Sequence, residues 1–362
     1  MGIVETWTAE DEAETICRRE GQAGVIVLNR PRALNALTGG MVEAMRHALE
    51  AWRDDPEVTR VVVTGAGEKA FCAGGDIRKI TEAGKDGRRD EAIAFWREEY
   101  LLNIAIKRYP KPYVALIDGI VMGGGVGVSL HGSHRVAGER YLFAMPEVGI
   151  GFFPDVGATW ALPRLPGATG TWLAVSGARI RTADALALGL VTSAVPSAGM
   201  ADLLESLCAG ADVDEAIAAL ARDPGPPHHL PERDVIDACF SADSIPEILA
   251  RLDAASLTSD AAAELARIIR AKSPRSLAIA LRQMREGASL TFEQAMTLEF
   301  RIVSRMLDNP DFYEGVRAVV VDKDQSPRWQ PASVDALDPA DVASYFAPLP
   351  GGELPVGTVA GA

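Results

Sequence analysis

A cluster of glycines at positions 123–127 constrains the fold of this chain more than any other segment. Such a cluster lets a helix begin directly after a strand, with its first amide groups open to a ligand. Two carboxylates, Glu147 and Asp155, follow in an apolar setting. Exposed amides can hold a developing oxyanion, and a carboxylate among apolar side chains tends to have a raised pKa. Together these features favour chemistry at a carbonyl group.

The hydrophobic pattern changes character at about Pro196. Before this point, strand patterns such as 25–28 and 113–117 alternate with helical patterns such as 41–53, which predicts an α/β fold. After it, the pattern predicts helices at 200–209, 212–222, 245–255, 258–271, 274–286 and 291–307. We therefore expect a core with the active site over 1–196, a helical region over 197–345 and a flexible tail over 346–362.

Composition excludes several classes of function. The chain has 36 Lys and Arg against 50 Asp and Glu, a net charge of -14, which disfavours binding to nucleic acid or to an anionic membrane. Its four cysteines are far apart, so neither a zinc ribbon nor a redox pair is indicated. The sequence shows neither a secretory signal nor an apolar run long enough to span a membrane, and we expect a cytoplasmic protein if the source is bacterial.

Common nucleotide and catalytic motifs are missing. The cluster at 123–128 departs from G-x-G-x-x-G at its sixth position, and no Walker loop, H-E-x-x-H or G-x-S-x-G occurs. Five histidines without ligand spacing argue against a metal site. A second glycine-rich segment, Ala70–Arg78, reads by itself as a tight turn. Paired with 123–125, it could supply the second amide of an oxyanion hole.

Several motifs in order resemble the crotonase (enoyl-CoA hydratase/isomerase) superfamily. They are Asn29-Arg-Pro with Ala33-Leu-Asn-Ala-Leu37, Phe71-Cys-Ala-Gly-Gly-Asp76, Pro112-Tyr-Val-Ala-Leu-Ile-Asp-Gly119, Met122-Gly-Gly-Gly125 and Met145-Pro-Glu147. The resemblance implies a spiral of ββα units followed by a helical C-terminal region. Further segments are similar to the subgroup of 3-hydroxyisobutyryl-CoA hydrolases: Phe95-Trp-Arg-Glu-Glu-Tyr100, Gly149-Ile-Gly-Phe-Phe-Pro-Asp-Val-Gly157, Asp311-Phe-Tyr-Glu-Gly-Val-Arg317 and Asp322-Lys-Asp-Gln-Ser-Pro-Arg-Trp329.

The resemblance also implies roles for individual residues. Gly75 and Gly124 match the two oxyanion-hole positions, which act through their backbone N–H groups. Glu147 matches a catalytic carboxylate, and Asp155 matches a second polar residue of the hydrolase subgroup. Glu99 matches an acidic contact to the substrate there; the alternative is a surface carboxylate in an Arg-Glu-Glu run.

A further stretch, Asp76, Ile77 and Arg78, matches the part of the family that lies along coenzyme A. The main departure from hydratases is Gly127, because family hydratases carry one of two catalytic glutamates at that position. One missing carboxylate makes efficient hydration doubtful. The presence of Asp155 elsewhere in the chain suits a different reaction.

We therefore predict hydrolysis of a short, branched β-hydroxyacyl-CoA, most specifically 3-hydroxyisobutyryl-CoA in valine breakdown. The expected partner is the acyl-CoA substrate, with no metal, redox cofactor, nucleic acid or membrane. Because superfamily members are often trimers or hexamers, a homo-oligomer is an open alternative. Two other functions stay open: an enoyl-CoA hydratase or isomerase, and a non-catalytic acyl-CoA-binding protein in which Glu147 and Asp155 are structural.

Overall fold

Two sheets organise the first half of the protein. The computed structural model describes residues 13–228 and 232–359. A six-stranded sheet has the order β1-β2-β3-β5-β7-β9 and a three-stranded sheet the order β4-β6-β8. Among the strand pairs of the described residues, β1 with β2 is antiparallel and the others are parallel. The strands are β1 Thr15–Glu20, β2 Ala23–Leu28, β3 Arg60–Gly65, β4 Ala70–Cys72, β5 Tyr113–Ile117, β6 Ile120–Met122, β7 His134–Ala137, β8 Leu142–Ala144 and β9 Ser193–Ala194.

The large sheet is buried on both faces. In β2, Ile26 and Leu28 belong to one hydrophobic cluster, whereas Val25 and Val27 belong to another on the opposite face. Alternate side chains of a strand point to opposite faces, so a strand that is apolar throughout needs cover on both. Three long strands, β3, β5 and β7, are each followed within a few residues by a short strand of the small sheet. This repeat confirms the predicted α/β spiral.

Helices cover the sheets and form the second half of the chain. The predicted helix over 41–53 is present and begins slightly earlier, because the Thr38 side chain accepts a hydrogen bond from the Met41 amide and caps it. The helices are α1 Gly39–Arg53, α2 Ile77–Lys85, α3 Arg89–Lys107, α4 Gly124–Gly127, α5 Ala158–Ala161, α6 Thr169–Ser176, α7 Thr182–Ala187, α8 Met200–Cys208, α9 Val213–Leu220, α10 Arg233–Phe240, α11 Ile245–Ala255, α12 Asp260–Arg270, α13 Pro274–Gly287, α14 Phe292–Met306, α15 Pro310–Val316 and α16 Pro339–Ser344.

The C-terminal helices pack directly on the α/β core. Leu203 and Leu207 of α8 cover the outer face of the large sheet, and α14 lies against α3 and α5. The segment 346–362 was expected to be flexible, whereas Leu354 and Val359 are buried, so its described part packs on the core; residues 360–362 lie outside the described residues. Among the described residues, no helix is both long enough and apolar enough to cross a membrane.

Candidate active site

A cavity of about 110 Å³ brings most of the predicted site residues together. Its wall includes Gly75, Glu99, Gly124, Glu147 and Asp155, which come from five separate segments of the chain. The remaining lining residues are mostly small or apolar: Ala73, Gly74, Ile77, Ile80, Phe95, Trp96, Met122, Gly123, Pro146, Ile150 and Phe152. Such a lining gives the five residues a low-polarity environment in which their charges and dipoles act strongly.

The amides of Gly75 and Gly124 are suited to bind one oxygen atom. Beside Gly75, the Leu37 amide donates to Gly74 O and the Asp76 amide donates to Leu37 O, at 2.8 and 2.9 Å. This pairing leaves the Gly75 amide itself without a backbone acceptor among the described residues. Gly124 is the first residue of α4, where an amide has no partner inside the helix.

The backbone before Gly124 requires glycine. Gly123 has φ 47° and ψ −124°, a conformation that residues with a side chain rarely adopt. A Cβ at Gly123 would also lie 3.3 Å from Glu147 Oε1, and a Cβ at Gly124 would lie 3.3 Å from the Gly75 nitrogen. The glycine cluster therefore lets the chain turn into α4 while the two amides and a carboxylate stay close together.

Glu147 and Asp155 are buried carboxylates that influence each other. Glu147 begins a 3-10 segment, Glu147–Ile150, and is 6% exposed; Asp155 is 5% exposed. Burial, followed by the charge of Asp155, raises the pKa of Glu147 well above its usual range. Burial raises the pKa of Asp155 to about 7. A hydrogen bond from Tyr100 has the opposite, smaller effect, because it favours the ionised form of Asp155. Two buried carboxylates that interact in this way titrate as a coupled pair.

Glu99 is not a surface carboxylate. It is 2% exposed on α3, and a Cβ at Gly124 would lie only 2.5 Å from its Oε1. Burial, followed by the charges of Asp155 and Glu299, raises the pKa of Glu99 well above its usual range, so the neutral acid can donate a hydrogen bond. Glu99 Oε1 and Glu147 Oε2 are buried without a hydrogen-bond partner among the described residues, as expected for atoms that meet a polar ligand.

The space beside Gly127 is filled. A Cβ at Gly127 would lie 2.7 Å from Val156 Cβ and 2.8 Å from Asn103 Nδ2, which are closer than real side chains approach. Asn103 lies one turn beyond Glu99 on α3 and is fully buried. The site therefore lacks a carboxylate at position 127 and also has no room for one without rearrangement.

The stretch predicted to lie along coenzyme A is split between three environments. Ile77 lines the cavity. Asp76 lines a neighbouring cleft of about 550 Å³ between α1, α2 and α3, and its carboxylate lies 3.2 Å from Arg30. Arg78 is exposed and pairs with Glu82 at 3.0 Å. The cavity and the cleft share the lining residues Ile80 and Phe95.

Sequence reasoning missed three buried polar residues near the carboxylates: Tyr100, Asn103 and Glu299. Glu299 carried a signal, since it stands between Met296 and Val303 on the apolar face of α14. An acidic residue at such a position is rarely buried without a specific partner. For metal binding, residues 13–228 and 232–359 contain no group of three His, Cys, Asp or Glu side chains arranged to hold an ion.

Comparison with known proteins identifies the family. The enoyl-CoA hydratase/isomerase family model matches residues 23–346, so the chain belongs to the enoyl-CoA hydratase/isomerase (crotonase) family. The mitochondrial 3-hydroxyisobutyryl-CoA hydrolase of Mus musculus is 44% identical over 95% of this chain and 91% of the mouse protein. The human protein of the same name is 44% identical over 94% of this chain and 90% of its own length.

Two solved structures share the whole fold but carry other names. A protein from Mycobacterium thermoresistibile described as a carnitinyl-CoA dehydratase is 42% identical with a TM-score of 0.90, covering 95% of this chain and 99% of that chain. A protein from Rhodobacter sphaeroides described as an enoyl-CoA hydratase is 42% identical with a TM-score of 0.88, covering 94% and 99%. The names of these relatives disagree on the reaction, so the site itself must decide between hydrolysis and hydration.

Proposed function

We propose that this protein hydrolyses the thioester of a short, branched β-hydroxyacyl-CoA, namely 3-hydroxyisobutyryl-CoA. The observation that carries the proposal is the meeting of the buried carboxylates Glu147 and Asp155 in one cavity with two free amides, while Asn103 and Val156 fill the space at Gly127. The hydrolase relatives support the same reaction. Valine breakdown is the metabolic setting that this substrate implies.

The reaction would begin with the thioester carbonyl oxygen bound by the Gly75 and Gly124 amides. These donors would stabilise the negative charge that develops on this oxygen when the carbonyl carbon is attacked. Glu147, once it has lost its proton, would then act in one of two ways. It would attack the carbonyl carbon, expel the CoA thiolate and leave a mixed anhydride for water to cleave, or it would take a proton from the attacking water.

Asp155 and Glu99 would assist this step by orienting the reacting groups and the substrate. Asp155 would orient Glu147, the water or the substrate, and its proton can move within the carboxylate pair. Neutral Glu99 would donate a hydrogen bond to the β-hydroxyl group of the acyl chain. The donor would be Glu99 Oε1, the oxygen that has no partner in the protein. Ile77 on the cavity wall would contact the pantetheine arm, whereas contacts from Asp76 and Arg78 stay predictions.

A paired assay tests the proposal. Purified protein should release free thiol from 3-hydroxyisobutyryl-CoA and should not remove the enoyl absorbance of crotonyl-CoA. Glu147→Gln should abolish thiol release while circular dichroism shows an intact fold. Loss of the enoyl absorbance without thiol release would instead identify a hydratase, and CoA binding without either reaction would identify a non-catalytic binding protein.

Hydroxylamine distinguishes the two routes for Glu147. Added during turnover, it would convert a mixed anhydride into a hydroxamate on the Glu147 side chain, which peptide mass spectrometry detects. General-base catalysis leaves this side chain unmodified. Assembly and location need separate measurements: a homo-oligomer is tested by light scattering, and a cytoplasmic location stays a prediction beside relatives named as mitochondrial.

A further inference from the structure

Glu299 is a buried carboxylate that the proposed reaction does not use. It is 0% exposed and lies on α14 in the C-terminal half of the chain. Its Oε2 accepts a hydrogen bond from the Gly157 amide at 2.8 Å, and its Oε1 accepts one from the Thr159 amide at 2.9 Å. Burial of a carboxylate is costly, and two amide donors offset part of that cost. The first hydrogen bond ends in the turn Val156–Gly157, which follows Asp155, and the second ends at the start of α5, directly after this turn.

This turn has a strained backbone. Val156 has φ 53° and Gly157 has φ 90°. For a β-branched residue such as valine, a positive φ is a true outlier and is energetically unfavourable. A conformation of this kind persists only when surrounding contacts fix it. The turn immediately follows one of the two proposed reacting carboxylates.

Three further contacts hold the same turn. His131 Nε2 donates to Val156 O at 2.7 Å, since a carbonyl oxygen can only accept. From α13, Gln283 Nε2 donates to Pro154 O and lies 2.5 Å from Thr159 Oγ1. The segment 154–159 is therefore fixed by the α/β core on one side and by the helical C-terminal region on the other.

We propose that Glu299 is a positioning residue, whose hydrogen bonds to the Gly157 and Thr159 amides hold the segment 156–159 in the conformation that directs Asp155 into the cavity. This inference rests on the proposed function. Glu299 does not line the cavity, so its effect on the reaction passes through Asp155. On the opposite side, the Tyr100 hydroxyl donates to Asp155 Oδ2 at 2.9 Å. The catalytic carboxylate is thus held between α3 and α14.

The test is Glu299→Gln, in which an NH₂ group replaces one of the two accepting oxygens. The matched control is Glu293→Gln on the same helix, where the carboxylate pairs with Arg108 at 2.9 Å and does not contact the turn. With 3-hydroxyisobutyryl-CoA, Glu299→Gln should lower kcat by about 10- to 100-fold and leave KM within about twofold. Glu293→Gln should change neither constant. A kcat of Glu299→Gln close to the wild-type value overturns the inference.

A double-mutant cycle separates positioning from a general loss of structure. In an Asp155→Asn background, residual thiol release persists through the amides, and Glu299→Gln should reduce it by less than about twofold. An equal fold-loss in both backgrounds would show that Glu299 acts independently of Asp155, and would overturn the inference.

A second variant tests the same inference if Glu299→Gln does not fold. Gln283→Met removes the hydrogen bonds on the α13 side of the turn and should give the same kcat loss with KM unchanged. An unaffected kcat there also overturns the inference. If the wild-type protein releases no thiol, the proposed function itself fails. If the wild type is active and the Glu299 and Gln283 variants match it, only the positioning role fails.

Discussion

The Tyr100 hydroxyl donates a hydrogen bond to Asp155 Oδ2 across 2.9 Å, at the wall of the cavity. Both residues are almost inaccessible to solvent, so this contact is a strong determinant of whether Asp155 is ionised. Burial favours the neutral carboxyl and raises its pKa to about 7, whereas the Tyr100 hydrogen bond favours the charged form. The balance places the ionisation of Asp155 near neutral pH.

Replacing Tyr100 with Phe should therefore raise the pKa of Asp155. Loss of a hydrogen bond to a charged group should move the acidic limb of kcat/KM to higher pH by about one unit. The measurement is thiol release as a function of pH. Tyr113→Phe is the control, because the buried Tyr113 hydroxyl donates to Val128 O and contacts no carboxylate. An acidic limb that stays in place in Tyr100→Phe would show that this hydrogen bond does not set the ionisation.

The two glycines proposed to form the oxyanion hole should differ in their tolerance of a methyl group. A Cβ at Gly124 would lie 2.5 Å from Glu99 Oε1 and 3.1 Å from Leu37 Cδ1, so Gly124→Ala must move the amide or Glu99. The expected loss in kcat/KM is about 10²–10³-fold, as when an oxyanion donor is removed. A Cβ at Gly75 meets only the Phe95 ring, at 3.4 Å, so Gly75→Ala should stay within about tenfold of wild type. Equal losses in both variants would contradict this assignment.

Adding the missing glutamate should not create a hydratase. In Gly127→Glu, the new side chain would collide with Val156 and Asn103, and overpacking of this kind costs about 1–3 kcal/mol. We expect a lower melting temperature, reduced thiol release and no hydration of crotonyl-CoA. The control is Gly40→Glu on the exposed face of α1, where a Cβ would meet only Thr38 Oγ1, at 3.9 Å. Measurable hydration of crotonyl-CoA by Gly127→Glu would contradict this prediction. It would mean that a carboxylate at position 127 is sufficient to change the reaction from hydrolysis to hydration.

The buried carboxyl groups should make the fold less stable as pH rises. Burial raises the pKa of Glu147 well above its usual range and that of Glu299 to about 8. The folded state therefore binds more protons than the unfolded state between about pH 4.5 and these raised values. Their stabilising effect is complete below the pKa values of the unfolded chain and is lost as pH rises through those of the folded protein.

Melting temperatures measured from pH 5 to pH 9 check this sign. Glu147→Gln removes one of the groups, so its melting temperature should fall less steeply and should exceed that of wild type at pH 8 by about 2–4 °C. Glu264→Gln, whose carboxylate is exposed and pairs with Arg267, should leave the slope near the wild-type value. A Glu147→Gln curve parallel to that of wild type would contradict the burial argument.

Local patterns in the sequence were sufficient for several elements of the fold. The apolar run 25–28 and the helical spacing of Met41, Met45 and Leu49 predict β2 and α1, because periodicity follows directly from which faces are buried. The sequence pattern did not predict the short strands Ala70–Cys72 and Ile120–Met122. Three residues are too few to show a period, and their pairing with each other depends on contacts far apart in the chain.

The sequence by itself determined the family, the glycine cluster and the pair Glu147 and Asp155, since residue types at fixed spacings carry that information. Only the tertiary structure decided that Glu99 is buried, that Asn103 fills the space at Gly127, and that Glu299 holds the turn after Asp155 from a helix more than a hundred residues away. Burial, close packing and pKa shifts arise from neighbours brought together by folding, and no local pattern encodes those neighbours.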